Sequence, residues 1–208
     1  MVINLSLVSH TNVGKTTLAR TLLRRDIGEP RDRAHVTETA DAHELLITPD
    51  GDELRLWDTP GLGDSVRLLQ RLRASGNPLG WLQTQVWDRF TDRPFYSSQV
   101  ALKAVREHCE VMLYLVSAAE GPESSGYVAP EMQILGWMDK PVLVLLNQTG
   151  APAGAEATAR ELAAWRTHLQ PYPWVKGVLS LDAFSRCWVQ EDALFAAVQA
   201  VLPAPQAE

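Results

Sequence analysis

Residues 1–23, MVINLSLVSHTNVGKTTLARTLL, decide the fold. Residues 2–8 are an apolar run of strand length rich in Val, Ile and Leu, and residues 15–25 carry the spacing of a helix. Between them stands SHTNVGKTT, residues 9–17, which matches the phosphate-loop pattern GxxxxGK[ST] except that Ser9 takes the first glycine position. Strand, loop and helix in that order is the context the pattern needs. Gly14 lets the backbone come close to a β-phosphate, while the loop amides around Val13 and Thr17 point partial positive charge at the anion. Lys15 reaches the β- and γ-phosphates, and the Thr16 hydroxyl is a hard oxygen ligand for Mg²⁺. Ser9 is small enough to be tolerated.

Moving outward, residues 54–61 read LRLWDTPG and put Asp58 at the end of a second apolar strand, with Gly61 three residues on. An acid at a strand tip holds a Mg²⁺-bound water in phosphate-loop NTPases, and a glycine amide there senses the γ-phosphate. Further strand-sized runs lie at residues 111–116, 142–146 and 175–181. Residues 43–48, followed by PDGD, read as the other arm of a hairpin with residues 53–57. Helical stretches are expected at residues 15–25, 64–73, 99–108, 130–138, 155–169 and 189–201. The pattern is α/β, doubly wound, with about six mostly parallel strands and one antiparallel edge.

The chain has 208 residues and 23.0 kDa, enough for one well-buried domain. With 19 Lys+Arg against 25 Asp+Glu its charge is −6, so net charge supplies no general attraction to nucleic acid or anionic membrane. Cys109 and Cys187 form no CxxC, which excludes a disulfide framework and a zinc knuckle from the expectations. No apolar run reaches bilayer length, and MVINLSLVSH lacks the marks of a secretory signal, so a cytoplasmic protein is expected. We expect residues 1–202 to form the domain, with residues 62–108 an elaborated insertion and 203–208 a tail or linker. The insertion carries Trp81, Trp87, Phe90, Phe95 and Tyr96, read mainly as internal packing. The seven Trp residues are placed on core faces or in this insertion.

NVGKTTL at residues 12–18, followed by WDTPG at 57–61, resembles the small GTPases of the Era and TrmE branch of the translation-factor-related class. The resemblance extends in element order over nearly the whole chain, and residues 6–23 with the later NQTG also resemble N-terminal GTPase domains of bacterial proteins that carry a C-terminal domain of unknown function. It implies a three-layer P-loop NTPase fold (a Ras-like G domain) with residues 62–108 elaborating switch II, binding GTP and GDP with Mg²⁺ and hydrolysing GTP slowly as a molecular switch. Thr16, Asp58 and a switch I threonine would serve Mg²⁺. By spacing that threonine, grouped with Lys15 as catalytic, is Thr37, with Thr39 the competing choice. Asn12 resembles the residue that ligates K⁺ beside the phosphates in this branch; the other reading is a local cap of the loop. A protein partner would meet the switches and the insertion.

Two departures from the family stand out. Leu62 occupies the place where some GTPases carry a water-orienting glutamine, leaving His35 and Glu38 as weak substitutes. NKxD is replaced by Asn147, Gln148, Thr149 and Gly150. Asn147 matches and Gln148 would cover the base, but the carboxylate that selects guanine is missing. SLDAF, residues 180–184, resembles the SAK element, with Ser180 opening the loop and the Leu181 amide offered to the guanine carbonyl. Asp182 or Glu156 are the acids that would replace the missing one. The departures also admit a nucleotide-gated interaction module with little hydrolysis, or an NTPase of relaxed base specificity. His10 is read as either near phosphate or solvent-facing, and Arg20, Arg24, Arg25, Arg31 and Arg33 as mainly a solvated face.

Overall fold

The computed structural model describes residues 1–24, 40–84, 92–150, 154–183 and 187–203, without the side chains of 82–84. Six strands form one sheet: β1 (Val2–Ser9), β2 (Asp41–Ile47), β3 (Glu53–Asp58), β4 (Val111–Ser117), β5 (Val142–Asn147) and β6 (Val175–Ser180). Their order is β2-β3-β1-β4-β5-β6, parallel except for β2, which pairs antiparallel with β3 at the edge. The expected hairpin is therefore present, closed by Gly51 in the left-handed region with φ 86°.

Helices α1 (Lys15–Leu23), α2 (Ser65–Ala74), α3 (Pro78–Thr84), α4 (Arg93–His108), α5 (Val128–Gly136), α6 (Ala155–Leu169) and α7 (Trp188–Val201) cover both faces. Strand alternation sorts the core into two layers. Met112, Tyr114 and Val116 of β4 face Leu68, Leu102, Met132 and Trp165 from α2, α4, α5 and α6. Val111, Leu113 and Leu115 face Leu18, Leu22, Leu194 and Val198 from α1 and α7. Both sides of the central strands are thus sealed, which is why their sequences read as unbroken apolar runs instead of alternating ones.

Residues 62–108 contribute three helices. Phe95 is buried, Trp81 packs on the same core, and the guanidinium groups of Arg67 and Arg71 lie 4.5 and 4.8 Å from the Phe95 ring centre. Internal packing is the fate of these rings; Trp87 and Phe90 lie outside the described residues. One tryptophan departs from expectation: Trp188, at the start of α7, is 76% exposed. Both cysteines are unpaired, and burial pushes the Cys109 thiol up to about 11. No helix among the described residues is long and apolar enough to cross a membrane.

The carboxyl ends of the parallel strands all lie along one edge. The chain leaves β1 toward β3 and leaves β4 toward β5, so a crevice opens between these loops, the place where open α/β sheets bind ligands.

Candidate nucleotide site

The loop from Ser9 to Gly14 carries the chain from β1 into α1, and its shape follows from two left-handed residues. Asn12 has φ 65°, a conformation asparagine tolerates better than most side chains, and Asn12 is exposed. Gly14 has φ 94°, and a Cβ there would lie 2.8 Å from Asn147 Nδ2. Glycine is required twice over, by conformation and by contact. Val13 is buried in the core layer beneath the loop, and Thr17 lies in the first turn of α1.

Lys15 is 7% exposed and donates from Nζ to the Ser9 hydroxyl at 2.9 Å. Ser9 in turn donates to the His10 carbonyl. The departure at position 9 therefore adds a hydroxyl that holds the lysine. Burial pulls the Lys15 ammonium down to about 8 from 10.5, with Asp58 and Glu131 opposing that shift.

Asp58 ends β3 with its carboxylate 4% exposed. Its Oδ2 accepts from the Thr16 hydroxyl at 2.8 Å, while its Oδ1 is buried without a partner. Burial raises its pKa above the usual 3.8, against the lowering effects of Thr16, Lys15 and His43. A buried, half-unsatisfied carboxylate beside a hydroxyl is costly unless something cationic completes it. These hard oxygens fit Mg²⁺, which takes few protein ligands and fills its shell with water and phosphate.

Thr59 donates to the Leu7 carbonyl at 2.6 Å and fixes the tip of β3 to β1. Gly61 is pressed against the phosphate loop: a Cβ on it would lie 2.9 Å from Thr11 Cγ2 and 3.3 Å from Lys15 Nζ. Leu62 is fully buried, and its amide donates to the Ser9 carbonyl at 2.9 Å. It is a core residue with no means of orienting water. Thr37, Thr39, His35 and Glu38 lie outside the described residues, as do Arg25, Arg31 and Arg33. Arg24 stands 4.0 Å from Glu191.

Asn147, at the end of β5, is fully buried. Its Nδ2 donates to the Val13 carbonyl and its Oδ1 accepts from the Ala183 amide, each at 2.8 Å, so one side chain joins the phosphate loop to the loop after β6. Gln148 has φ 59° and accepts at Oε1 from the Ser117 hydroxyl at 2.8 Å. Its Nε2 is 3.8 Å from where a Gly14 Cβ would stand, so it overlies the phosphate loop.

The acid missing from position 150 has a counterpart across the gap. Asp182 Oδ2 accepts from both the amide and the hydroxyl of Thr149, at 2.8 and 2.7 Å. Asp182 is 5% exposed, whereas Glu156 is exposed in the first turn of α6. The structure therefore brings Asp182, and not Glu156, into this end of the crevice. Leu181 requires a correction. Its amide donates to the Leu146 carbonyl at 3.0 Å and its side chain is buried, because the β5–β6 ladder continues one residue beyond Ser180. That amide is taken by the sheet.

His10 keeps part of its side chain exposed, 30% of it, and turns the ring toward α5. Its ring stacks on Tyr127, and its Nδ1 meets Glu131 at 2.8 Å. No local motif marks this pair, since its members lie 121 positions apart.

Solved structures share the fold. An Era variant from Aquifex aeolicus bound to GDP and AlF4⁻ superimposes with a TM-score of 0.70 at 19% identity, covering 97% of this chain and 57% of that one. Era in complex with MgGDPNP and nucleotides 1506–1542 of 16S ribosomal RNA gives 0.70 at 18% identity with the same coverage. A bacterial selenocysteine-specific elongation factor gives 0.61 at 14% identity, covering 96% of this chain and 28% of that one. This chain thus spans little more than half the length of the Era proteins it matches. The sequence carries no strong nucleic-acid signal, whereas one of these Era structures holds RNA. No curated protein sequence matches the chain. The family model for the 50S ribosome-binding GTPase matches residues 4–148, ending two residues into the altered base motif. The phosphate loop, the strand-end aspartate and the sheet order all lie within that match, and the chain belongs to the 50S ribosome-binding GTPase family.

Proposed function

We propose that this domain binds Mg²⁺ and GTP and hydrolyses the nucleotide slowly, acting as a molecular switch in the cytoplasm. The observation that carries the reading is the buried Thr16–Asp58 pair beside Lys15, with Asp58 Oδ1 lacking a partner. Thr16 and Asp58 would hold the Mg²⁺, with Thr37 completing the set by family spacing, and the ion would offset charge on the β- and γ-phosphates. Lys15 neutralises the same oxygens, and the amides from Asn12 to Thr17 bind the phosphates at the start of α1. Water attacks the γ-phosphorus in line, the bond from that phosphorus to the bridging oxygen breaks, and GDP, inorganic phosphate and a proton result.

Guanine selection is assigned to the rewired base end. Gln148 covers the base, and Asp182 replaces the missing acid by accepting from the N1–H and N2–H donors of guanine. A carboxylate oxygen has more than one lone pair, so bonding to Thr149 does not exhaust Asp182 as an acceptor. Adenine lacks that donor pair. Ser180 opens the same loop. Asn12 is assigned a K⁺ ion, whose charge would assist the reaction where no glutamine serves. The buried Leu62 supports slow turnover and keeps open a switch that recruits a partner through residues 62–108 with little hydrolysis.

Phosphate release from GTP, measured in K⁺ and then Na⁺ buffer with Mg²⁺, tests the reading. Slow release, faster in K⁺ and losing that preference in Asn12→Ala, is expected. Tight GTP binding with no release in either salt would leave the non-hydrolysing switch; K⁺ dependence intact in Asn12→Ala would remove the cation assignment.

A further inference from the structure

Glu131 is fully buried in the first part of α5, and the nucleotide chemistry above does not use it. A carboxylate held away from water needs compensating donors, and here three other elements supply them. Its Oε1 accepts from His10 Nδ1 at 2.8 Å and from the Ser65 hydroxyl; its Oε2 accepts from the Tyr114 phenol at 2.6 Å. Tyr127, just before α5, stacks on the other side of this arrangement, with ring centres 4.6 Å apart and planes at 19°.

Two of these partners stand next to the proposed phosphate site. His10 is the second residue of the phosphate loop, and Ser65 is the first residue of α2. Between Asp58 and Ser65 runs the segment whose Gly61 lies against Thr11 and Lys15. That segment is fastened on one side by the Leu62 amide on the Ser9 carbonyl and on the other by Ser65 on Glu131.

We propose that Glu131 is a positioning residue: its carboxylate clamps the start of α2 to the phosphate loop through Ser65 and His10, and so holds Gly61 beside Lys15 where the terminal phosphate of a nucleoside triphosphate arrives. The inference rests on the nucleotide reading above. A diphosphate does not reach Gly61, so the clamp acts on the difference between the two nucleotides and not on affinity in general.

The test uses the full chain with fluorescent GDP and a fluorescent non-hydrolysable GTP analogue, each titrated with Mg²⁺, alongside a thermal melt. Ser65→Ala removes one buried donor of the clamp and spares the other two. It should weaken the GTP analogue about tenfold, the scale of one charge-assisted hydrogen bond, while GDP stays within about twofold. Glu131→Gln, which keeps an oxygen for His10 and Ser65, should recover most of the discrimination that Glu131→Ala loses. Equal weakening of both nucleotides by Ser65→Ala, or no change in either, overturns the clamp. If the unaltered chain binds neither nucleotide, the nucleotide reading itself fails and takes the clamp with it.

Discussion

The two ends of the crevice are built differently. The phosphate end is one continuous loop and one strand tip: Lys15 sits six residues from the Ser9 that holds it, and Thr16, in the first turn of α1, meets Asp58 at the end of β3, the strand paired with β1. The base end is assembled from loops of separate strands stitched by side chains. Asn147 bonds to Val13 and Ala183, and Asp182 bonds to Thr149. Phosphate chemistry depends on backbone amides, a close approach and one cation, so it tolerates little besides glycine and lysine at fixed spacing. Base recognition needs only that a carboxylate reach the right place, and a carboxylate can reach it from either loop.

The largest effect should therefore come from the phosphate end. Lys15→Ala removes the buried cation and should reduce triphosphate affinity by at least about a hundredfold, as two or more charge-assisted bonds are lost; retained affinity in a direct titration would show that the loop does not cradle phosphate. Next comes the base end. Asp182→Asn keeps an oxygen for Thr149 but offers an amide where guanine needs an acceptor. Xanthine carries a carbonyl at C2 in place of the guanine amino group, so the variant should shift preference from GTP toward XTP by about tenfold or more. An unchanged ratio would make Asp182 a purely structural tie.

How much of this contrast was legible in the sequence follows from the same physics. Strands β1, β4 and β5 fall where apolar runs stand, because a sheet sealed on both faces leaves little polar alternation to confuse them, whereas the largely exposed edge strand β2 is legible through the hairpin turn that follows it. The helix at 78–84 was missed, since PLGWLQT is too short to show a period. The start of α4 was placed six residues late, although Pro94 near its N-terminus was the available signal. At the site, Gly14, Lys15, Thr16 and Asp58 were readable because their contacts are short-range or set by strand register. His10 with Glu131, Ser65 with Glu131 and Asp182 with Thr149 join positions 121, 66 and 33 residues apart. Nothing local announces such pairs. Leu181 was misjudged for a related reason: the last rung of a ladder cannot be located from residue types alone.

A different effect concerns stability. Asn147→Ala strips the Val13 carbonyl and the Ala183 amide of their buried partner and should cost about 2–4 kcal/mol, read from a urea midpoint. Such a cost would show that the base end is held by this one side chain; a change under about 1 kcal/mol would show that the loops stand without it.

The smallest effect is graded with pH. Below about 8 the empty site already holds Lys15 protonated, so triphosphate binding takes up no proton there. Above that value the lysine must be recharged on binding, and affinity should fall by up to about tenfold per pH unit. The stability of the empty protein runs the other way. The native pKa is lowered from 10.5, so the cost of burying the charge is full below pH 8 and fades as pH rises toward 10.5. Binding titrated from pH 7 to pH 9.5, with proton uptake followed in two buffers, checks both signs.

The central claim joins the two ends: a phosphate site spelled out by the sequence and a base site rewired through Asp182 make one pocket for guanine nucleotide. Titration of the chain with GTP, ATP and XTP, each with Mg²⁺, tests it most directly. GTP binding at least about tenfold tighter than either competitor is the predicted result. Equal affinity for all three, tighter binding of ATP, or no binding at all would contradict it.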